Sequence, residues 1–508
     1  MIPYYGMPLN KYSGQQCNPY FYIPSQMNTE QLMLPTHGQI SRNYQMVPPP
    51  DLKSIPFKQH WNSSGDSRYL RSCENLTSLT AVSRNPGIID VWWIALNGSI
   101  QGAYSEEGER WTRYELAPAG TASFGNDKIK AVSRKENIID VVWIGANGEV
   151  QGAYYVEGEP WTRYEIAPAG TASTTGISAM SRKKNTIDVV WIGVNGEVQG
   201  AYYEEGETWA QYELAPAGTA SIGGITVVSR MPDIIDVIWI GANGEIQGTY
   251  YVEGKYWTHY EIAPAGTASI GGRITAVSRK LGIIDALWMG TNGEVQGAYY
   301  VEGGYWTRYE IAPENSANLL EGSITAVSRK ENIIDIWWTG VHNTVQGAYW
   351  EDGAQWKQYN LLGSPSNAEY VCGSITAVSR KENNIDVWWM GLDDSVQGAY
   401  WEEGKRWTRY ELPPRTPRIK VSKENGTILV TGTDFKPVSN GIRIVVESPS
   451  NEYRVYTNSV NGSFTTKIDV SWIPKYTNLY VSATDGTRVP TTQDITGFLW
   501  SKTVPITL

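Results

Sequence analysis

Apolar and polar positions alternate in short blocks along most of the chain, and the blocks recur. Ile274-Thr275-Ala276-Val277-Ser278-Arg279 is β-branched and apolar, and a polar turn follows it. Ile283-Ile284-Asp285-Ala286-Leu287-Trp288-Met289 is a second such run, and Val295-Gln296-Gly297-Ala298-Tyr299-Tyr300 is a third. Trp306-Thr307-Arg308-Tyr309-Glu310-Ile311 is the fourth. Runs this short, rich in β-branched and aromatic side chains and bounded by Gly, Asn and acidic residues, predict four strands. Thr291-Asn292-Gly293 predicts a hairpin turn between the second and third, and Glu302-Gly303 turns the chain before the fourth. The second run is apolar almost throughout, as expected of a strand covered on both faces. No stretch of this region sustains a helical apolar period.

The whole block occurs seven times, about 49 residues apart, from Ser83 to Glu411. Each copy has Ser-Arg, an Asp six residues after the Arg, then Trp, Gln-Gly, Tyr, an acid-Gly pair, Trp and Tyr. The anchors are Asp90, Asp140, Asp188, Asp236, Asp285, Asp335 and Asp386, and the arginines are Arg84, Arg134, Arg182, Arg230, Arg279, Arg329 and Arg380. A Trp stands at plus 3 from every anchor (Trp93 in the first copy) and another at plus 21 (Trp111). Length varies in the stretch after the last Tyr, such as Ala117 to Ser123. A period of this size, with several strands per unit, predicts an all-β, seven-bladed β-propeller over residues 71–413.

The flanks differ. Residues 1–70 are rich in Pro, Tyr, Gln and Asn and carry no period, which suggests an arm or tether. Pro413-Pro414-Arg415-Thr416-Pro417 reads as a linker. Alternating strands such as Thr427 to Val430, Ile442 to Val446 and Tyr453 to Tyr456 follow, with turns at Asn425-Gly426, Asn461-Gly462 and Asp485-Gly486. Residues 416–508 are thus expected to form a β-sandwich. Thr431 to Pro437, Asn461 to Phe464 and Ser482 to Asp485 resemble the pattern of bacterial immunoglobulin-like modules, which usually space or attach.

Composition narrows the function. Net charge is −10 and the basic residues are spread singly, which argues against nucleic acid. No apolar run is long enough to insert in a membrane. The first residues, Met1-Ile2-Pro3-Tyr4-Tyr5, have neither a basic start nor an apolar core, so no ordinary signal peptide is expected. Localisation at a cell or spore surface, in an inclusion body, or outside the cell by a non-standard route follows as the expectation. Cys17, Cys73 and Cys372 lie far apart and match neither a disulfide framework nor a zinc site, and the 4 histidines are not spaced as ligands. No cofactor is expected. The 22 Trp and 32 Tyr exceed what core filling needs.

The repeat resembles the Trp-rich propeller lectins, namely the six-bladed fungal fucose-specific lectins and the seven-bladed bacterial lectins similar to them. That resemblance covers residues 78–413. It implies a sugar between adjacent blades, gripped by an Arg on the second strand, a Glu twelve residues later and an aromatic at plus 15 from the neighbouring blade. Here Asp replaces that Arg in every copy, and Gly102, Gly152, Gly200, Gly248, Gly297, Gly347 and Gly398 replace that Glu. The aromatic remains as Tyr155, Tyr203, Tyr251, Tyr300, Trp350 and Trp401, with Ser105 in the first copy.

An Asp with a facing ring could receive sugar hydroxyls and stack a sugar's C–H face, and the Gly at plus 12 would leave room beneath. The same Asp and the Arg six residues before it could instead be a cross-strand ion pair. Both readings stay open here. The Trp residues and the plus-14 Tyr read as core between blades, and Gln101 and its copies as satisfying backbone groups. The acid-Gly pair is similar to the turn motif of sialidase propellers, where it is structural. Catalysis needs one asymmetric set of acids, whereas these are repeated sevenfold, so no enzyme is expected. The leading expectation is a multivalent lectin for cell-surface glycans. The alternative is a self-assembling surface, spore-coat or crystal-inclusion protein, toxin-associated in one version, that associates through the N-terminal arm.

Overall fold

The computed structural model describes residues 77–508, apart from 107–110, 321, 362–370, 392–394, 413–416, 436–440, 450, 485–500 and 502. The arm expected over residues 1–70 lies outside the described residues, as do most of the linker and the 485–486 turn. The described residues contain no helix long and apolar enough to cross a membrane.

The chain is all-β with repeated, propeller-like blades. Each repeat forms one four-stranded antiparallel sheet in which the strands lie in sequence order. In the fifth, the strands are Ile274–Lys280, Ile283–Met289, Val295–Val301 and Thr307–Ala312, within a residue or so of the runs read from sequence. The second strand is buried along nearly its whole length, which explains its continuous apolarity. The first strands of successive sheets touch, and Leu79–Asn85 of the first sheet also touches Val371–Val378 of the last. There Ser374 N donates to Thr77 O at 3.0 Å.

The Asn-Gly signal marks a longer connection than a two-residue hairpin, since Met289 pairs with Val295. Gly290 N donates to Glu294 O at 2.8 Å, and the Glu294 carboxylate accepts from Asn292 N at 2.9 Å. Gly293 has φ 77°, and a Cβ there would come within 3.0 Å of Ala317 O, so backbone conformation and the neighbouring loop both call for glycine. Gln296 donates to Glu294 at 2.9 Å, so this glutamine serves a side chain rather than the backbone group expected of it.

Seven plus-3 tryptophans, Trp93, Trp143, Trp191, Trp239, Trp288, Trp338 and Trp389, are at most 2% exposed and fill the space between sheets. The plus-12 glycines are explained by the fourth strand. Gly248 pairs with Tyr260, and a Cβ on Gly248 would stand 2.5 Å from the Tyr260 ring. Tyr114, Tyr164, Tyr212, Tyr309, Tyr359 and Tyr410 cover the other six in the same way, at 2.5 to 2.7 Å. The space expected beneath a ligand is therefore filled by a tyrosine of the same sheet.

After residue 417 a three-stranded sheet (Arg418–Glu424, Thr427–Thr433, Phe464–Asp469) faces a four-stranded one (Glu452–Thr457, Ile442–Glu447, Asn478–Thr484, Val504–Thr507). Ile428, Val430 and Phe464 from one and Ile444, Val446 and Val481 from the other share a single core. Cys372 is disulfide-bonded, which corrects the expectation of unpaired cysteines; its partner lies outside the described residues. Cysteines far apart in sequence gave no spacing from which to read that pairing.

Gly248→Ala should force the Tyr260 ring off its strand and destabilise the chain by about 1–3 kcal/mol, the usual range for overpacking. Thermal unfolding of this variant beside Gly87→Ala, whose Cβ position is uncrowded and whose φ is not positive, separates crowding from the mere loss of a glycine. Equal melting shifts for the two would refute the crowding account.

Candidate functional site

The Ser-Arg pair ends the first strand of each sheet. Ser83 donates to Asn85 O at 2.7 Å, and the other six serines of this motif make the same bond two residues on. In the first sheet the pairing register breaks between Val82 and Asn85, a bulge that re-aims the intervening side chains. Arg84 thereby turns back toward Asp90 on the second strand, Nε to Oδ2 at 3.4 Å. Arg134 meets Asp140 at 3.3 Å, Arg182 meets Asp188 at 2.9 Å, Arg279 meets Asp285 at 3.3 Å and Arg380 meets Asp386 at 3.0 Å. Arg230 pairs with Asp236, and Arg329 with Asp335.

These aspartates are 0 to 4% exposed in their side chains. They lie beneath the arginines, away from solvent. Three also accept a hydroxyl from the fourth-strand tyrosine: Asp140 from Tyr164 at 3.2 Å, Asp236 from Tyr260 at 3.4 Å and Asp285 from Tyr309 at 3.0 Å. The role expected of them, receiving sugar hydroxyls, needs an accessible carboxylate, and the ion-pair reading is the one the geometry realises.

Six of the seven arginines also reach a ring of the next sheet. Arg84 lies 5.5 Å from the ring of Tyr104 in its own sheet and 5.5 Å from Tyr155 of the second. Arg134 stands likewise between Tyr154 and Tyr203, and Arg182 between Tyr202 and Tyr251. Arg230 stands between Tyr250 and Tyr300, Arg279 between Tyr299 and Trp350, and Arg329 between Tyr349 and Trp401. The plus-15 aromatic of one sheet is thus brought to the Arg–Asp pair of the sheet before it, a cation–π arrangement. Tyr251 and Tyr300 are pinned further, each accepting from a turn glycine (Gly254, Gly303) at 3.1 Å. All six rings are partly exposed at the cleft.

A second aromatic contact was missing from the sequence reading. The fourth-strand tyrosine meets the plus-21 Trp of the next sheet: Tyr164 meets Trp209 at 5.5 Å, Tyr260 meets Trp306 at 5.8 Å and Tyr309 meets Trp356 at 5.9 Å, all stacked. Tyr410 of the last sheet stacks on Trp111 of the first at 6.2 Å. The signal that could have found it was the constant Gly opposite a constant Tyr.

Burial pushes the carboxyls of Asp90 and Asp188 up to about 7, against the pull of their arginines. It pushes Asp140, Asp236, Asp285, Asp335 and Asp386 up to about 6. Burial, and then the nearby carboxyl, raise the phenols of Tyr164, Tyr260 and Tyr309, which stay protonated as donors. A raised carboxyl often marks catalysis, but here one cause acts in every repeat, which is the mark of a structural pair. No group of three or more His, Cys, Asp or Glu among the described residues could hold a metal ion.

No protein-family model matches the chain, and no curated protein does. Among solved structures it is similar to the BP39L lectin from Burkholderia pseudomallei, with a TM-score of 0.61 and 19% identity over 66% of this chain and 99% of that one. The chain shares the fold of a lectin. Weaker likenesses run to AofleA from Arthrobotrys oligospora (TM-score 0.44, 15% identity, 56% of this chain and 86% of that). Another is the Aleuria aurantia lectin, a fungal lectin described as a six-bladed β-propeller with a novel fucose recognition mode (TM-score 0.42, 17% identity, 67% and 96%).

The raised aspartates imply a pH dependence of stability. They bind protons more tightly folded than unfolded, where an Asp titrates at its ordinary value of 3.8. The stability they contribute is complete below about pH 4 and is lost as pH rises through about 6 to 7. The melting temperature of the intact chain should therefore be higher at about pH 5 than at about pH 7.5. A steady rise over that interval would mean that the arginines outweigh burial.

Proposed function

We propose that the chain is a non-enzymatic, carbohydrate-binding lectin whose ligand sites are the clefts between neighbouring sheets. In this reading the seven sheets over residues 71–413 are the blades of one closed ring, and residues 416–508 are an immunoglobulin-like module that spaces or attaches it. The observation that carries the proposal is the arrangement repeated at the clefts, an aromatic ring of one sheet over the Arg–Asp pair of the sheet before it. A partly exposed ring offers a face or edge to sugar C–H groups, and a guanidinium at its side donates to hydroxyls. The shared fold with a lectin supports the same reading.

The site residues take amended roles. Tyr155, Tyr203, Tyr251, Tyr300, Trp350 and Trp401 supply the stacking surface. Arg84, Arg134, Arg182, Arg230, Arg279, Arg329 and Arg380 donate, and the seven aspartates hold the arginines in place. Cell-surface glycans are the partners, and a rigid ring bearing several such clefts gains avidity when more than one engages a surface. Seven similar aspartates, each buried and matched by an Arg, support binding rather than hydrolysis.

A glycan array on the intact chain tests this first. Trp350→Ala and Trp401→Ala should each remove a stacking contribution of about 0.5–1.5 kcal/mol at one cleft, so haemagglutination titre should fall in steps as rings are removed. A full-length protein that retains no glycan would end the lectin reading. So would a multiple-ring variant that stays folded and agglutinates as the parent does.

A further inference from the structure

The cleft between the last and first sheets is built differently from the other six. Where the other sheets present a ring at plus 15, the first presents Ser105. Where the other sheets have Ile or Thr two residues before the anchor Asp, the last has Asn384. The two departures lie on opposite walls of this one cleft, and both line a cavity of about 420 Å³.

The missing ring leaves Trp111 without a same-sheet aromatic partner at plus 15 and accompanies a more exposed arginine. Trp161, Trp209, Trp257 and Trp306 each lie 5.3 to 5.6 Å from the plus-15 Tyr of their own sheet. Their counterpart Trp111 has Ser105 at that position, while Tyr410 stacks on it at 22° and holds its plane. The Arg380 side chain is 19% exposed, against 3 to 10% for the other six arginines. Arg380 also donates to Asn384 Oδ1 at 3.2 Å, a bond that Ile or Thr could not accept in the same way.

The backbone agrees. In five of the other clefts a turn residue of the next sheet (Asn137, Asn185, Gly282, Asn332 or Asn383) donates its N–H to the carbonyl of Arg84, Arg134, Arg230, Arg279 or Arg329. In the first sheet the equivalent Gly87 N–H donates to Asn85 Oδ1 at 3.0 Å instead.

We infer that this cleft is a single saccharide site, different in kind from the other six, that takes one neutral pyranose into its cavity. The C–H face of the sugar lies on Trp111 in the volume a ring fills elsewhere. Its hydroxyls accept from Arg380 and donate to the carboxylates of Glu106 and Glu402 at the rim. Arg380 and Lys381 stand against Asp386, Glu106 and Glu402, and Lys405 pairs with Glu402 at 2.8 Å, so the cleft has no net positive charge with which to attract an acidic sugar. This inference rests on the lectin reading and adds a cleft of a second kind, present once per chain, and the charge of its ligand.

Ser105→Tyr tests it without disturbing the fold, since it installs the residue four other sheets carry at that position. The intact chain would be titrated with neutral methyl pyranosides, with methyl glucuronoside and N-acetyltyrosine amide as comparison probes, by calorimetry and tryptophan fluorescence. Beside the ring-bearing clefts, a separate class of site, one per chain, should bind a neutral pyranoside; Ser105→Tyr should weaken that class by about tenfold or more, and Asn384→Ile should weaken it less. Trp350→Ala and Trp401→Ala, which act at the ring-bearing clefts, report on those clefts separately. If glycan binding persists equally in Ser105→Tyr but falls with the two Trp variants, the seventh cleft is not the site and the lectin reading survives. If no saccharide binds the parent chain, both fall. A Ser105-dependent preference for methyl glucuronoside overturns the neutral assignment, and one for N-acetyltyrosine amide makes the cleft a socket for an aromatic side chain.

Discussion

The contact on which the rest of the repeat region depends is a tyrosine ring laid over a glycine. Without a Cβ at the plus-12 position, the fourth strand's tyrosine lies flat against the third strand within its own sheet. Its outward face then meets the plus-21 Trp of the next sheet, and in three sheets its hydroxyl reaches the buried Asp. One pair of residue types thus fixes the inner packing of a sheet, its joint to the neighbour and one ligand of its buried charge. Because Tyr410 meets Trp111, the same joint also connects the last sheet to the first.

The buried Arg–Asp pair is the complementary constraint. Removing two charges from water is costly, and the pair is tolerated because each partner has further company. The carboxylate has the arginine and in several sheets a phenol; the guanidinium has two rings, one from each side of the cleft. The aspartate therefore acts through the arginine, and the arginine is what reaches the cleft. The raised carboxyls record how much desolvation this arrangement carries.

The strands and the repeat were legible in the sequence because both are local. The runs at 274–279, 283–289 and 295–300 fell almost on the observed strands, since apolar blocks and turn residues lie within a few positions of each other. The site was legible only in part. Sequence supplied the spacing of Arg, Asp and ring but not the bulge at Ser83-Arg84, which turns the Arg of the first sheet back toward its Asp. Register between third and fourth strands was needed to see that Gly248 makes room for Tyr260 and not for a ligand. Ser105 stood out as the exception to its column. Asn384 did not, because its significance appears only when the last sheet is set beside the first.

That juxtaposition explains where asymmetry can accumulate. Six of the arginines bind neighbouring sheets together through their rings, so losing one of those rings would weaken a joint as well as change a cleft. At the joint between last and first sheets other attachments are present: Tyr410 stacks on Trp111, and Ser374 N donates to Thr77 O. Leu79, Val91 and Trp93 from the first sheet share a core with Trp388 and Met390 from the last. Stacking, backbone and core contacts of these kinds also occur at other joints, and here they hold the two sheets together although the ring over Arg380 is absent. A cavity is what remains in its place, and it is bordered by polar groups of both sheets.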